Sequence, residues 1–157
     1  MLETTLFALL FLQSFQNVQC KKVLISGYSD QITRINISET KHGYKMTSLG
    51  NMKVDPDMTW MQVVDDKLYA AHEVESYNGS FGAVVSQWNI EEDGLKKAQT
   101  FKIPTISPAH LLVDTEHDML FTANYFGMSF TAIRLISGIL EDILYHDLFN
   151  KIQLIFG

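Results

Sequence analysis

The sequence predicts an all-β fold made of two to three antiparallel sheets, each with about four strands. A short strand-like pattern occurs three times, at residues 23–28, 68–73 and 120–125, and a second strand-like run follows each copy. The copies begin 45 and 52 residues apart. Self-similarity at about 40 to 50 residues, built from short strands, is typical of β-propeller blades, which bury their faces by stacking on one another. Three copies are too few to close a ring, so we expect a partial β-propeller.

The middle unit shows a complete set of strand signals. Period-2 alternation predicts strands over residues 59–64, 67–73, 82–90 and 95–103. Turn-forming residues separate them: Asp65 and Asp66, the polar loop 74–81, and the segment Glu91–Gly94, whose glycine tolerates a positive φ. The unit therefore corresponds to one four-stranded blade.

The flanking units repeat this order with differences. The third unit predicts strands over residues 109–114, 119–124 and 128–135. The first unit lacks an opening strand and continues through residues 32–37 to a last strand at 44–49. A unit that starts inside a blade is common where the end of a chain completes its first blade. Residues 21–137 are thus interpreted as N-terminal blades.

The apolar spacing changes after Leu135. From there, apolar residues recur at steps of three and four, which is a helical rather than a strand period. They are Leu140, Ile143, Leu144, Leu148, Ile152 and Ile155. We therefore expect residues 138–157 to be a divergent tail with an amphipathic helix over Ile139–Ile155.

Composition and charge restrict the partners. The hydrophobic content of 46% and charged content of 19% indicate a folded chain. The net charge is −6, and Lys and Arg form no cluster larger than a pair. Nucleic acids and anionic membranes bind proteins through clustered Lys and Arg side chains, so neither is expected as a partner.

The N-terminus predicts secretion. Residues 1–20 are interpreted as a signal peptide because Leu6–Leu12 is apolar and too short to span a bilayer. Glu3 departs from the usual positive start, so a buried N-terminal strand or helix is the alternative. Cys20 is the only cysteine, and cleavage after it would exclude a disulfide scaffold, a cysteine-based zinc site and a cysteine nucleophile. The triplets beginning at Asn36 and Asn78 are candidate glycosylation sites of an extracellular protein.

Hairpin geometry predicts one polar rim. In an antiparallel hairpin the start of the first strand lies beside the end of the second. This rule gathers residues of all three units at the mouth of the expected central channel: Gly27, Tyr28, Trp60, Glu73, His110, Asn124 and Tyr125. Aromatic faces with a few donors and acceptors suit a sugar-like ring. We expect Tyr28, Trp60, Asn124 and Tyr125 to bind the ligand.

The catalytic candidates each have a structural alternative. His110 is the best acid–base candidate because imidazole titrates near neutral pH, but it could instead bind a neighbouring backbone. Glu73 could orient a water molecule or remain a solvated carboxylate. Trp60 could simply pack between blades, and Asn124 and Tyr125 could stabilise their loop. No metal site or cofactor is predicted, since the other histidines share no ligand spacing and no phosphate-binding loop occurs.

Several segments together resemble the seven-bladed propeller lactonases of the 6-phosphogluconolactonase and carboxy-muconate cyclase type. They are residues 107–114 (SPAHLLVD), 120–125 (LFTANY), 58–63 (MTWMQV), 68–73 (LYAAHE) and 23–28 (VLISGY). The sequence departs from the family pattern at Ser107, Ala109 and His72. The resemblance covers about residues 22–137 and does not extend to the next blade, so it is that of an N-terminal fragment.

The resemblance implies hydrolysis or formation of a sugar or organic-acid lactone without a redox cofactor. The leading hypothesis is therefore a truncated, secreted lactone hydrolase of the 6-phosphogluconolactonase type, with a small lactone or sugar acid as ligand. The alternative is a non-catalytic, secreted β-propeller-type binding module. Alone, the chain is expected to be a poor catalyst and a marginal fold, because its last blade has an open face.

Overall fold

The structure, a computed structural model, describes residues 20–148. Within that range every regular element is a β-strand, which confirms the all-β prediction. The first sheet has three antiparallel strands in chain order, namely β1 (Cys20–Ile25), β2 (Gln31–Thr40) and β3 (Gly43–Lys53). The sequence predicts that the first unit lacks an opening strand, and the first sheet has none within the described residues.

The second and third sheets are four-stranded antiparallel sheets. In order, the second contains β4 (Met58–Val64), β5 (Lys67–His72), β8 (Val84–Ile90) and β9 (Leu95–Lys102). A small hairpin of β6 (Ser76–Tyr77) and β7 (Ser80–Phe81) lies between β5 and β8. The third sheet contains β10 (Pro108–Asp114), β11 (Met119–Asn124), β12 (Ser129–Ile136) and β13 (Ile139–Leu148). The strands of each sheet follow one another in space as propeller blades require.

Two corrections concern the loop inside the second unit and the last segment of the third. The loop predicted over residues 74–81 contains the β6–β7 hairpin, whose turn uses positive φ angles at Asn78 (50°) and Gly79 (74°). The helix predicted from Ile139 is wrong as far as Leu148, because these residues form β13. The rest of that helix lies outside the described residues.

The helix-like spacing in β13 has a structural cause. The β12–β13 pairing shifts register twice, between Ala132 and Ile133 and again between Ile133 and Leu135. Each shift places an extra residue on β13 and changes the face on which the next residue lies. Apolar residues on a bulged strand therefore recur at three and four instead of two, which imitates a helical period.

The three sheets stack face to face around two apolar clusters. We call the side of a sheet turned to the preceding sheet its front face, and the opposite side its back face. Between the first and second sheets lie Ile32, Val54, Met58, Leu68, Ala70 and Trp88. Between the second and third lie Tyr69, Ala71, Ala83, Val85, Ile103, Leu111, Val113, Leu120, Ile133, Leu135 and Leu140. Neighbouring residues of β5, such as Leu68 and Tyr69, enter different clusters, so each strand alternates between the two faces.

Two glutamines fix the position of the third sheet on the second. The Gln62 side chain accepts a hydrogen bond from the Val113 amide at 2.8 Å and donates one to the Val113 carbonyl at 3.4 Å. The Gln99 side chain likewise accepts a hydrogen bond from the Leu140 amide at 3.1 Å and donates one to the Leu140 carbonyl at 2.7 Å. These side chains imitate a neighbouring backbone and satisfy peptide groups that the stacking would otherwise leave buried without partners.

Residues 20–148 include no helix that is long and apolar enough to cross a membrane.

Candidate functional site

Equivalent irregularities at the starts of β4 and β10 shape the rim. Met58 pairs with His72, and after a one-residue bulge Trp60 pairs with Ala71. In the third sheet, a bulge likewise separates Pro108, which pairs with Asn124, from His110, which pairs with Ala123. Trp60 and His110 therefore occupy the same position in consecutive sheets.

The two rings of this repeated position touch. The ring centroids of Trp60 and His110 are 4.0 Å apart, with the planes inclined by 41°. Trp60 packs against the apolar cluster between the second and third sheets, whereas His110 is exposed. The indole thus holds the imidazole at the solvent-facing rim, where a ligand could reach it. Their roles in binding and catalysis stay predictions.

The rim continues to the first sheet through Tyr28. The Tyr28 hydroxyl donates a hydrogen bond of 2.7 Å to Oε2 of Glu73. This bond, burial and the negative charges of Glu73 and Asp57 raise the pKa of Tyr28 to about 12. Near neutral pH the phenol therefore remains protonated and acts as a donor that orients the Glu73 carboxylate.

Residues in a left-handed conformation hold the ends of the rim strands. Asp57 (φ 57°) accepts a hydrogen bond from the Glu73 amide through its carbonyl at 3.0 Å. Ser107 (φ 52°) accepts one from the Tyr125 amide at 2.8 Å. A left-handed residue favours glycine, which explains why the resemblance would have glycine in place of Ser107.

Asn124 and Tyr125 are adjacent in sequence, but the Asn124 side chain is buried and the Tyr125 side chain is exposed. Asn124 is 1% exposed, and its amide donates to the hydroxyls of Ser129 (3.0 Å) and Thr131 (3.1 Å). This burial favours the structural alternative for Asn124. Tyr125 is exposed and packs edge-on against Phe126, with 4.8 Å between the ring centroids. Its binding role stays a prediction.

A buried polar network behind the rim was not predicted from the sequence. His72 is fully buried, and its Nδ1 lies 2.8 Å from the Pro56 carbonyl, so this nitrogen carries the proton. Nε2 then accepts a hydrogen bond from the Ser86 hydroxyl at 2.7 Å, and Ser86 accepts one from the Trp88 indole at 2.7 Å. Burial lowers the pKa of His72. His72 takes the place in the second sheet that Asn124 takes in the third, and the only sequence signal was its departure from the family pattern.

The family model described as "Lactonase, 7-bladed beta-propeller" matches residues 22–142, more than half of the chain. The chain belongs to the seven-bladed β-propeller lactonase family. This confirms the resemblance seen in the sequence. No curated protein matches the chain.

Solved structures share the fold of this lactonase-family chain. A protein of Lactobacillus plantarum (18% identity, TM-score 0.68) covers 82% of the chain. Crystal structures of candidate 6-phosphogluconolactonases from Bacteroides fragilis (22%) and Bacteroides uniformis (18%) also superpose with a TM-score of 0.68 and cover 87% and 83%. The chain spans only 37% to 38% of the length of these structures. They support a partial propeller.

The two arginines of the lactonase-family chain lie away from the rim. Arg34 donates to the Asp93 carbonyl at 2.9 Å and to the Leu49 carbonyl at 3.2 Å. Arg134 forms an ion pair with Asp142 at 3.0 Å. Neither is positioned to stabilise an oxyanion beside His110. Among residues 20–148, no group of three His, Cys, Asp or Glu side chains converges as a metal site would require.

The two candidate glycosylation sites differ in setting. Asn78 is exposed at the tip of the β6–β7 hairpin. Asn36 lies within β2 and pairs with Lys22 and Thr47 on its two sides. Glycosylation at either site stays a prediction. The predicted signal peptide falls almost wholly outside the described residues.

Proposed function

We propose that this rim is part of the substrate site of a lactone hydrolase of the 6-phosphogluconolactonase type. The observation that carries the proposal is the Trp60–His110 contact, 4.0 Å between centroids, on the rim that also holds the Tyr28–Glu73 hydrogen bond. An aromatic face, an exposed imidazole and an oriented carboxylate form a suitable set for a polar ring with an ester bond. The family and the candidate 6-phosphogluconolactonases with the same fold support this reaction class.

The proposed reaction assigns one task to each group. A lactone ring lies against Trp60, and His110 takes a proton from a water molecule that attacks the lactone carbonyl. The ring C–O bond then breaks, and the alkoxide leaving group receives the proton, which gives an open-chain hydroxy acid. Glu73, oriented by Tyr28, accepts hydrogen bonds from substrate hydroxyls. Because both arginines are engaged elsewhere, we expect slow turnover by this chain.

The test is lactone opening by the purified chain. Proton release from a δ-lactone of a phosphorylated or unmodified sugar acid is followed by pH-stat, with subtraction of spontaneous hydrolysis. We expect His110→Ala to reduce the enzymatic rate at least about 100-fold, as loss of a general base does. His117→Ala is the matched control, since His117 is exposed and pairs with Asp114 at 2.8 Å in the turn after β10. Equal loss in both variants, or none in His110→Ala, would contradict the assignment.

A binding module is the second candidate, and the engagement of both arginines favours it. In that case the chain binds sugar-acid lactones without opening them. Calorimetry with a non-hydrolysable lactam analogue separates the two: binding lost in Trp60→Ala, with no turnover, identifies the module. Absence of both binding and turnover would reject both candidates.

We further propose that the chain is secreted, with residues 1–20 removed. The apolar segment Leu6–Leu12 and the accessible Asn78 acceptor support this proposal. Expression in a eukaryotic secretory host tests it. The medium should contain a chain beginning at Lys21, and a glycosidase-sensitive mass should be lost in Asn78→Gln. Retention inside the cell with Met1 intact would contradict it.

A further inference from the structure

The back face of the third sheet is apolar and open within the described structure. Leu112 is 51% exposed and Tyr145 52%. Phe121 and Phe130 stack between them, with centroids 5.6 Å apart, and Phe130 lies 6.5 Å from Tyr145. We call these four residues the aromatic face. A contiguous apolar surface of this kind marks an interaction site.

The aromatic face repeats the back face of the second sheet without its polar connections. Leu112 pairs with Phe121 as Gln62 pairs with Tyr69, so these positions correspond. In the second sheet, Gln62 and Tyr69 bind the backbone of the third sheet through Val113 and Gly138. Their counterparts, leucine and phenylalanine, cannot make such bonds. The aromatic face is therefore suited to bind a partner mainly through apolar burial.

Within the described residues, a second face without a stacked sheet lies at the other end of the stack. Leu24 and Ile32 belong to the back face of the first sheet, so strand alternation places Val23, Ile35, Ile37 and Met46 on its front face. We call these four residues the aliphatic face. Met46 is 71% exposed, and Val23, Ile35 and Ile37 are partly exposed.

The aliphatic face corresponds position by position to a buried surface of the third sheet. Val23 pairs with Ile35 as Leu120 pairs with Ile133, and Ile37 pairs with Met46 as Leu135 pairs with Leu140. In the third sheet these four residues are at most 4% exposed. They receive Trp60, Tyr69 and Phe101 from the back face of the second sheet. Within residues 20–148, the stack thus contains one aromatic-on-aliphatic junction, between the second and third sheets, and one half of such a junction on each of its two outer faces.

We propose that the chain self-associates head to tail: the aromatic face of one copy packs on the aliphatic face of a second copy. Exposed His110 borders the same surface as Leu112, Phe121 and Phe130, so this contact covers the proposed lactone site and excludes substrate from it. This contact continues the junction between the second and third sheets. A contact between two aromatic faces would instead leave both aliphatic faces in water. Because the two patches differ, the contact is heterologous and links copies into a ring or an open chain.

Two single substitutions test the two faces. Leu112→Glu introduces a charge on the aromatic face and Met46→Glu on the aliphatic face. Both side chains are exposed in the single copy, so neither change should prevent folding. Sedimentation velocity over a range of concentrations should show association of the original chain. For each variant alone, burial of an unpaired carboxylate should weaken association by about 100-fold or more.

The mixture of the two variants is decisive. Each retains one intact face, so an equimolar mixture should form a 1:1 heterodimer that grows no further. Phe81→Glu, on the exposed β6–β7 hairpin, is the control and should associate like the original chain. Self-association of Met46→Glu alone, or no complex in the mixture, would overturn the head-to-tail arrangement. An original chain that stays monomeric at every concentration would overturn self-association and leave the aromatic face to another segment or protein.

Discussion

The hydroxyl of Tyr28 donates a 2.7 Å hydrogen bond to the carboxylate of Glu73, and the two residues hold the same position in consecutive repeats, 45 residues apart. The bond joins the loop after β1 to the end of β5, so the rim is one polar surface that crosses from the first sheet to the second. Backbone contacts continue it to the third sheet, because the Ser107 amide donates to the Val74 carbonyl at 3.0 Å.

The Tyr28–Glu73 hydrogen bond should make the free energy of unfolding depend on pH in the alkaline range. The pKa of Tyr28 is raised to about 12 in the folded chain and is about 10 when unfolded. The folded state therefore holds this proton more tightly, and its contribution to stability is complete below pH 10 and lost as pH approaches about 12. The free energy of unfolding of Tyr28→Phe, measured with urea, should not show this loss between pH 10 and about 12. The exposed position limits the expected loss at neutral pH to about 0.5 to 1 kcal/mol.

The matched comparison is Glu73→Gln. It keeps a weaker acceptor but removes the charge, so its alkaline profile should approach that of Tyr28→Phe. If Tyr28→Phe and the original chain lose stability in parallel between pH 10 and about 12, the bond makes no such contribution.

Buried His72 should make the fold sensitive to acid. Burial lowers its pKa, so the folded state resists protonation while the unfolded state takes up a proton near pH 6.5. The contribution is present above pH 6.5 and is lost as pH falls through the lowered folded-state pKa. His72→Asn, which introduces the residue found at the equivalent position 124, should flatten the stability profile between about pH 6.5 and 5. Guanidinium unfolding at both pH values measures this.

His42→Asn serves as the comparison for His72, because His42 is exposed in the turn between β2 and β3. It should retain the acid sensitivity of the original chain. A profile that flattens equally in both variants would assign the effect to histidine content and not to the buried network.

Local pattern and hairpin register predicted much of the fold. The strand at Met119–Asn124 has the predicted bounds, and Trp60 and Glu73 lie at one end of the second sheet as expected. The sequence could not predict the Tyr28–Glu73 bond, since this depends on how two separate sheets stack. The strand β13 was missed because its bulges imitate a helical period. Asn124 lies at the predicted end of its strand, but hairpin register gives only the position along a strand, so the burial of its side chain could not be predicted.

Gln62 should contribute to stability through the third sheet. Gln62→Ala leaves the Val113 amide, normally bound at 2.8 Å, without that acceptor in a partly buried position. We expect a loss of about 1 to 3 kcal/mol in the free energy of unfolding. Gln31→Ala is the control, since the exposed Gln31 side chain accepts a hydrogen bond from exposed Asn51 and its loss should change stability by less than about 0.5 kcal/mol. If chemical denaturation gives equal losses of unfolding free energy for Gln62→Ala and Gln31→Ala, the hydrogen bonds of Gln62 to Val113 do not stabilise the fold.

Gly82 should tolerate no side chain. Its φ is 107°, and a Cβ atom there would lie 2.8 Å from the Ile103 carbonyl oxygen. This oxygen is backbone and sits beside the hydrogen bond between the Ile103 amide and the Ala83 carbonyl, so it cannot withdraw without breaking the pairing. Gly82→Ala should therefore cost about 2 to 3 kcal/mol in chemical denaturation. Gly27→Ala, where nothing lies within 4 Å of the added atom, should change stability by less than about 1 kcal/mol. Similar losses in both variants would show that the close approach at Gly82 relaxes without cost, and the backbone pairing around Ala83 would then be the element that moves.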